Sequence, residues 1–335
     1  MKQENGLSFK AHDPFVFLTG GGQMARQIQA FDWSRTSLGS IIHWPQNLRS
    51  AISLCVNTSA PSVVYWGEDS LMFYNDEFLR ISKTFSPHGL GKPARDAGFS
   101  GWENLDAVLS HVMRTGGASV SRDRTLMPED AFTSECYFDY SFTPVWGNSG
   151  KVDGVLSIFS ETTKCVISDR RLRTLRELAA RGSADGQSAE EACQSAADVL
   201  SENSGDFTFA ELYLLDVSGR VALRYGSSGD VTKGGLCPAV VNIDMRSGPL
   251  AVRSVVRTGR PAEVPSISAT FGTGPSGSSV VGIPEAIVLP ITRCGDPQLM
   301  GFIVVGINPR LRLNGEYRAF LNLVAEHIGI SVALA

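Results

Sequence analysis

Apolar positions along the chain change period several times, and the changes predict two mixed helix-and-strand regions in succession. Met24, Ile28 and Phe31 sit at helical spacing after the glycine run Gly20–Gly22. Leu48, Ile52 and Cys55 repeat that spacing after Trp44-Pro45, where proline suits the first turn of a helix. Residues 61–67 and 70–76 then read as two strands around a Gly-Glu-Asp-Ser turn. A short helix follows, with Asn75 or Asp76 as its natural N-cap. The clearest helix covers 102–117: Leu105, Val108, Leu109 and Val112 form one stripe, and Gly116-Gly117 end it. Three strand patterns come next, at 118–126, 136–146 and 151–163, the last two separated by Gly147–Gly150.

A charged helical stretch, about 163–182, places Cys165, Ser168, Leu172, Leu175 and Ala179 at spacings of three and four. That stripe fits a coiled-coil seam between two protomers, or an ordinary linker helix lying on its own domain; the seam is the reading adopted. Beyond a Gly- and Ser-bearing break, a helix at 190–203 leads into strands at 209–217, 220–228, 262–267, 285–293 and 299–308. A helix at 249–260 interrupts them, and an apolar-striped helix from Tyr317 closes the chain. The pattern predicts an α+β class twice over: two domains, each with a central antiparallel sheet flanked by helices, joined by a helical linker. The expected boundaries are 1–46 for an N-terminal helical extension, 47–163 for the first domain, 164–185 for the linker helix and 186–335 for the second domain.

Composition changes this picture little. At 335 residues the chain suits two domains, and 43% hydrophobic with 19% charged residues is a globular balance. The net charge is −4 with Lys and Arg scattered, which excludes a basic stripe for nucleic acid. No apolar run approaches the roughly 20 residues needed to span a bilayer, and the apolar stretch Phe15–Leu18 is too short for a signal peptide. Six cysteines spread singly argue against a zinc site and a disulfide framework, and a cytoplasmic setting is expected.

Residues 61–81, the helix ending in Arg114-Thr-Gly-Gly and the paired strands closing in Ser160-Glu161-Thr162-Thr163 together resemble a PAS domain. Glu161 and Thr163 stand where PAS domains carry an acidic-x-Thr motif coupling the last strand to a signalling helix. Residues 186–335 resemble a GAF domain through their opening helix, the strand from Phe207, Thr258-Gly-Arg-Pro261 and the Gly301–Gly306 strand. The whole is similar to the PAS–GAF sensory region at the front of multi-sensor histidine kinases. The resemblance implies a non-catalytic signal-sensing and relay module, a homodimer acting on a kinase or phosphatase output domain in cis or in trans. It also implies a dimer seam through Glu161, Thr163, Leu172, Leu175 and Ala179. The alternative is a dimerisation scaffold with no ligand.

A search for chemistry supports the non-catalytic reading. No phosphoacceptor-type His is present: His327 is followed by Ile328, not by an acid. The Gly20–Gly22 run lacks the Gly-Lys-Ser/Thr that grips phosphates, so it reads as a turn before a helix. None of the five histidines lies within four residues of another, so no metal motif forms. Glu129-Asp130 is the one acidic pair considered for hydrolysis, and a solvated turn explains it equally. No ligand is named by the sequence. Flavin photochemistry lacks its Cys context; bilin binding has only a partial echo in Gly282-Ile283-Pro284; haem has a single weak candidate ligand, His111, placed off the apolar stripe. Aromatics remain as pocket candidates: Tyr65, Tyr74, Trp102, Phe138 and Tyr140 in the first domain, Tyr213, Tyr225 and Phe302 in the second.

Overall fold

A computed structural model describes residues 13–81, 89–97, 102–124, 135–182, 186–229, 237–243, 249–265, 285–293 and 298–335. The chain divides into two compact units: residues 1–132 with 136–163, and 133–135 with 164–335. Glu129-Asp130, Gly282–Pro284 and the Trp102 side chain lie outside the described residues.

The first unit holds a five-stranded sheet in the order β2-β1-β5-β4-β3, antiparallel throughout. Its strands are β1 (Ser62–Trp66), β2 (Leu71–Tyr74), β3 (Ser119–Arg124), β4 (Phe138–Trp146) and β5 (Val152–Glu161). The helices are α1 (Gly22–Ala30), α2 (Gln46–Asn57), α3 (Asp76–Ile81) and α4 (Trp102–Thr115). Strands β1 and β2 are buried along their whole length, which explains their unbroken apolar runs. The turn between them has Gly67 and Ser70 in the left-handed region, with φ of 71° and 51°.

Residues 13–46 are part of this unit rather than an extension of it. Met24, Ile28, Trp33 and Trp44 belong to the same core as Val64 and Phe73. Trp33 stacks on Phe73 at 5.0 Å, and Trp44 meets the same ring edge-on at 5.4 Å. The glycine run serves this docking. A Cβ at Gly21 would collide with Val56 of α2, and one at Gly22 with the Asp76 carboxylate. That carboxylate caps α1 across the fold, accepting from the Gln23 and Met24 amides at 2.8 and 2.7 Å. Of the two cap candidates for α3, Asn75 does the work, accepting from the Phe78 amide at 2.9 Å.

The second unit carries a six-stranded antiparallel sheet, β8-β7-β6-β11-β10-β9. Its strands are β6 (Phe207–Leu215), β7 (Val221–Gly229), β8 (Val240–Asn242), β9 (Ala262–Val264), β10 (Ala286–Thr292) and β11 (Leu299–Ile307). Strand β8, three residues long, has no period of its own and is not legible in the sequence. Helices α5 (Thr163–Arg181), α6 (Ala189–Ser201) and α8 (Gly315–Leu334) accompany it, with α7 (Leu250–Thr258) between β8 and β9. Ser188 and Glu191 form a capping box at the head of α6. Gly259, at φ 64°, closes α7 in the left-handed conformation. Alternate residues of the central strands feed two cores. Ala210, Leu212, Ile303 and Val305 meet the α6 and α8 side chains. Phe209, Tyr213, Phe302 and Val304 meet Val252 and Val255 of α7.

Candidate functional site

In the first unit the aromatic candidates gather on one sheet face. Tyr65 shares its face with Val63 by the two-residue strand period, and Val63 lies between Tyr74 on β2 and Ser157 on β5. A chain of rings follows: Tyr74 to Phe78 at 5.7 Å, Phe78 to Phe159 at 5.1 Å, Phe159 to Tyr140 at 5.1 Å. Tyr65, Tyr74 and Phe138 are buried, and Tyr140 packs against them. The Tyr65 hydroxyl and Ser157 Oγ are buried without a hydrogen-bond partner among the described residues. Burial raises the Tyr65 phenol, helped by its neighbours Tyr140 and Cys55. Burial also raises that of Tyr74, against the Leu90 and Gly89 amides, which lie near its oxygen too poorly aligned to satisfy it. His111 is exposed on α4, beside buried Val112.

In the second unit the candidate aromatics divide. Tyr213 and Phe302 stack at 4.8 Å with an interplanar angle of 17°, on the α7 side of the sheet. Tyr225 packs with the opposite core, because the register between β6 and β7 shifts at Leu212/Tyr213 and turns it to the α6 side. The face beneath α7 also holds a residue the sequence reading passed over. Glu211 lies between Ala210 and Leu212, whose side chains point to the helices, so its own points to the Tyr213 side. It has no exposed surface, and neither carboxylate oxygen has a hydrogen-bond partner among the described residues. Arg224 Nη1 approaches Oε2 at 3.2 Å as an ion pair that misses hydrogen-bond alignment, and the same Nη1 donates to the Cys237 carbonyl at 3.1 Å. The Tyr213 hydroxyl donates to the Pro238 carbonyl at 2.7 Å. Burial raises the Glu211 carboxyl above its ordinary value, although Arg224 and Ser227 act the other way. Burial, and then Glu211 itself, pushes the nearby Cys237 thiol up to about 12. One cue was present in the sequence: an acid in Phe-Ala-Glu-Leu-Tyr falls, by alternation, on a face that strand burial makes apolar.

Helix α5 is held by charge. Asp206, with no exposed surface, accepts from Arg170 Nε at 2.8 Å, Arg171 Nε at 2.9 Å and Asn203 Nδ2 at 3.1 Å. Arg170 also grips Glu135 with both terminal nitrogens, at 2.7 and 3.2 Å. Burial works against the Arg170 charge, but the hydrogen bonds it donates to Glu135 and Asp206 outweigh that and raise its pKa. Arg171 covers the Tyr317 ring at 4.6 Å, and the Tyr317 hydroxyl donates to the Asp206 carbonyl. Of the expected seam residues, Leu172, 44% exposed, and Ala179 face outward, while Thr174 and Leu178 turn the opposite side of the helix inward. Leu175 is the exception, packing against the α6–α8 core. At the head of α5, Thr163 Oγ1 accepts from the Tyr137 amide at 3.0 Å, and Glu161 is exposed opposite Phe138. Among the described residues no group of three His, Cys, Asp or Glu is placed to hold a metal ion. No helix among them is long and apolar enough to cross a membrane.

Residues 186–333 match the family model described as the GAF domain. This segment is a GAF domain. Solved structures similar to it include the GAF domain of an Acinetobacter phosphoenolpyruvate-protein phosphotransferase, at 15% identity over 48% of this chain and 92% of that one, TM-score 0.38. The A. aeolicus nlh2 GAF domain in an inactive state is 14% identical over 50% of this chain and 98% of that one, TM-score 0.38. Staphylococcus aureus fRMsr in complex with substrate is 15% identical over 48% and 95%, TM-score 0.36. No curated protein matches the chain. The GAF domain thus comprises α6 to α8 and β6 to β11, and Glu211, Tyr213 and Phe302 lie on its α7-covered sheet face.

Proposed function

We propose that the chain is a non-catalytic signal-sensing and relay module in which a PAS-like unit precedes the GAF domain. In this reading it works as a homodimer on a histidine kinase or phosphatase output domain, in cis or in trans, of a two-component type. A GAF domain is a small-ligand sensing or interaction module, and that much rests on the family match. The observation that carries the sensing reading is Glu211: a carboxylate with no exposed surface, held by the Arg224 ion pair and by no aligned hydrogen bond among the described residues, is costly to keep unless a bound partner uses it. Support for the PAS-like reading of the first unit is its two strands, helical interruption and three further strands in one antiparallel sheet. The bond between the Tyr137 amide and Thr163 Oγ1, where the last strand passes into α5, supports a coupling role for Thr163 in this reading. A ligand acts on such a module only by binding two arrangements with different affinity.

Native mass spectrometry against the denatured mass tests the reading. A dimer retaining a small molecule that denaturation releases is the expected result, and a bare monomer overturns it. The scaffold alternative has one observation in its favour: Tyr65, Tyr74 and Phe78 are fully buried and fill the first unit's core with their own rings. A bare dimer that no ligand stabilises would select it.

A further inference from the structure

We infer that Glu211 anchors a ligand with a planar, cationic N–H pair of the amidine type on an apolar, ring-sized body. The inference rests on reading the α7-covered face of the GAF domain as the sensing site. Its starting point is a mismatch between acceptors and donors. An ionised carboxylate offers two oxygens with about four acceptor positions, and here none receives an aligned hydrogen bond from the described residues. The donors beside it leave it under-satisfied: Ser227, opposite it on β7, and Arg224 both act on the carboxylate, yet neither makes an aligned bond to it. Arg224 Nη1 goes to the Cys237 carbonyl and the Tyr213 hydroxyl to the Pro238 carbonyl, so both fasten 237–238 instead of satisfying Glu211.

What surrounds the carboxylate then selects the ligand. Val304 lies opposite Glu211 on β11 and Ser227 opposite it on β7. Phe302, Val288, Val252 and Val255 complete an apolar face with no second acid among its buried members. An anionic ligand would meet Glu211 without solvent to screen the repulsion. A neutral apolar ligand would leave both oxygens unpaired and dry. A planar cation with two parallel N–H groups matches the two oxygens with charge-assisted bonds, and its apolar body matches the valines and Phe302. Arg224 is one-quarter exposed at the side of the carboxylate, so a ligand cation replaces its misaligned contact without burying it further.

The test titrates the full chain with benzamidine, benzoate and benzyl alcohol, which share a ring and differ in charge. Binding is followed by calorimetry and by hydrogen exchange of β6 and β7. Benzamidine is expected to bind and to protect β6, with affinity reduced about tenfold or more in Glu211→Gln. Glu211→Asp, which keeps the charge, is expected to recover part of the loss. Benzoate binding while benzamidine is silent would overturn the ligand class and leave the sensing face intact. Equal benzamidine affinity in wild type and Glu211→Gln would place binding elsewhere and overturn the inference. Silence from all three probes would overturn it too, and a molecule still retained in native mass spectrometry would show that the sensing reading had survived it.

Discussion

Arg170 donates from Nε to Asp206 Oδ2 at 2.8 Å, and the carboxylate it meets has no exposed surface. With Arg171 on the other oxygen, one acid fixes two successive residues of α5. Apolar burial on this helix is confined to a narrow stripe ending in Leu178, so the charges set its rotation as much as the core does. That rotation leaves Leu172 and Ala179 facing outward.

Removing the shared acid takes from Arg171, 14% exposed, its carboxylate partner and leaves Arg170, 18% exposed, with Glu135 alone. Asp206→Ala is therefore expected to cost about 3–5 kcal/mol, the range for breaking one side of a buried ion pair. Urea denaturation measures this, and hydrogen exchange should show α5 loosening before the sheet. A loss below about 1 kcal/mol would mean that solvent replaces the clamp at little cost.

The Tyr65 hydroxyl gives a prediction of opposite sign. It is buried without a hydrogen-bond partner among the described residues, so Tyr65→Phe removes a desolvation penalty and little else. The variant is expected to be more stable by roughly 1 kcal/mol in thermal or urea denaturation. Destabilisation instead would show that this oxygen is satisfied in solution.

These two sites illustrate what the sequence could and could not reveal. Strands such as Val152–Glu161 and helices such as Trp102–Thr115 were legible because period reports burial, and burial is local in sequence. The β1–β2 turn was legible because Gly67 and Ser70 mark its left-handed positions. The clamp was not, since Arg170, Glu135, Asp206 and Tyr317 come from four separate stretches with no shared spacing. Tyr225 was misplaced beside Tyr213 because a one-residue register shift reverses faces and leaves no mark on composition. The integration of residues 13–46 into the first core was missed for a related reason. Trp33 and Trp44 look like isolated surface-turn aromatics until Phe73 is placed between them.

Glu211 makes stability depend on pH in a direction that can be worked out. Burial raises its carboxyl in the folded state above the unfolded value. The protonated form is thus favoured by folding, and its contribution is fully present below the unfolded value and lost as pH rises through the folded one. Glu211→Gln mimics the protonated form at every pH. Its stability advantage over wild type is expected to be larger near about pH 7 than near about pH 4, where Glu itself begins to protonate. Denaturation midpoints at the two pH values check this, and an advantage that shrinks as pH rises would mean that the Arg224 pair outweighs burial.

Leu172 and Leu178 separate the two roles of α5. Leu178 is 4% exposed and belongs to the α6–α8 core, whereas Leu172 is 44% exposed on the outward stripe with Cys165, Ser168 and Ala179. If that stripe is the homodimer seam, Leu172→Asp places a carboxylate beside its own copy in an apolar contact. Dimer affinity is then expected to fall at least about tenfold, a modest share of the burial and repulsion terms involved. The same variant should leave each unit folded, because Leu172 stands exposed and outside the buried core among the described residues. Leu175→Asp does not make this distinction, since Leu175 also packs against the core. Leu178→Asp should instead unfold the second unit. Analytical ultracentrifugation with circular dichroism reads both quantities. An unchanged dimer in Leu172→Asp would remove α5 from the interface and leave its outward face to some other partner.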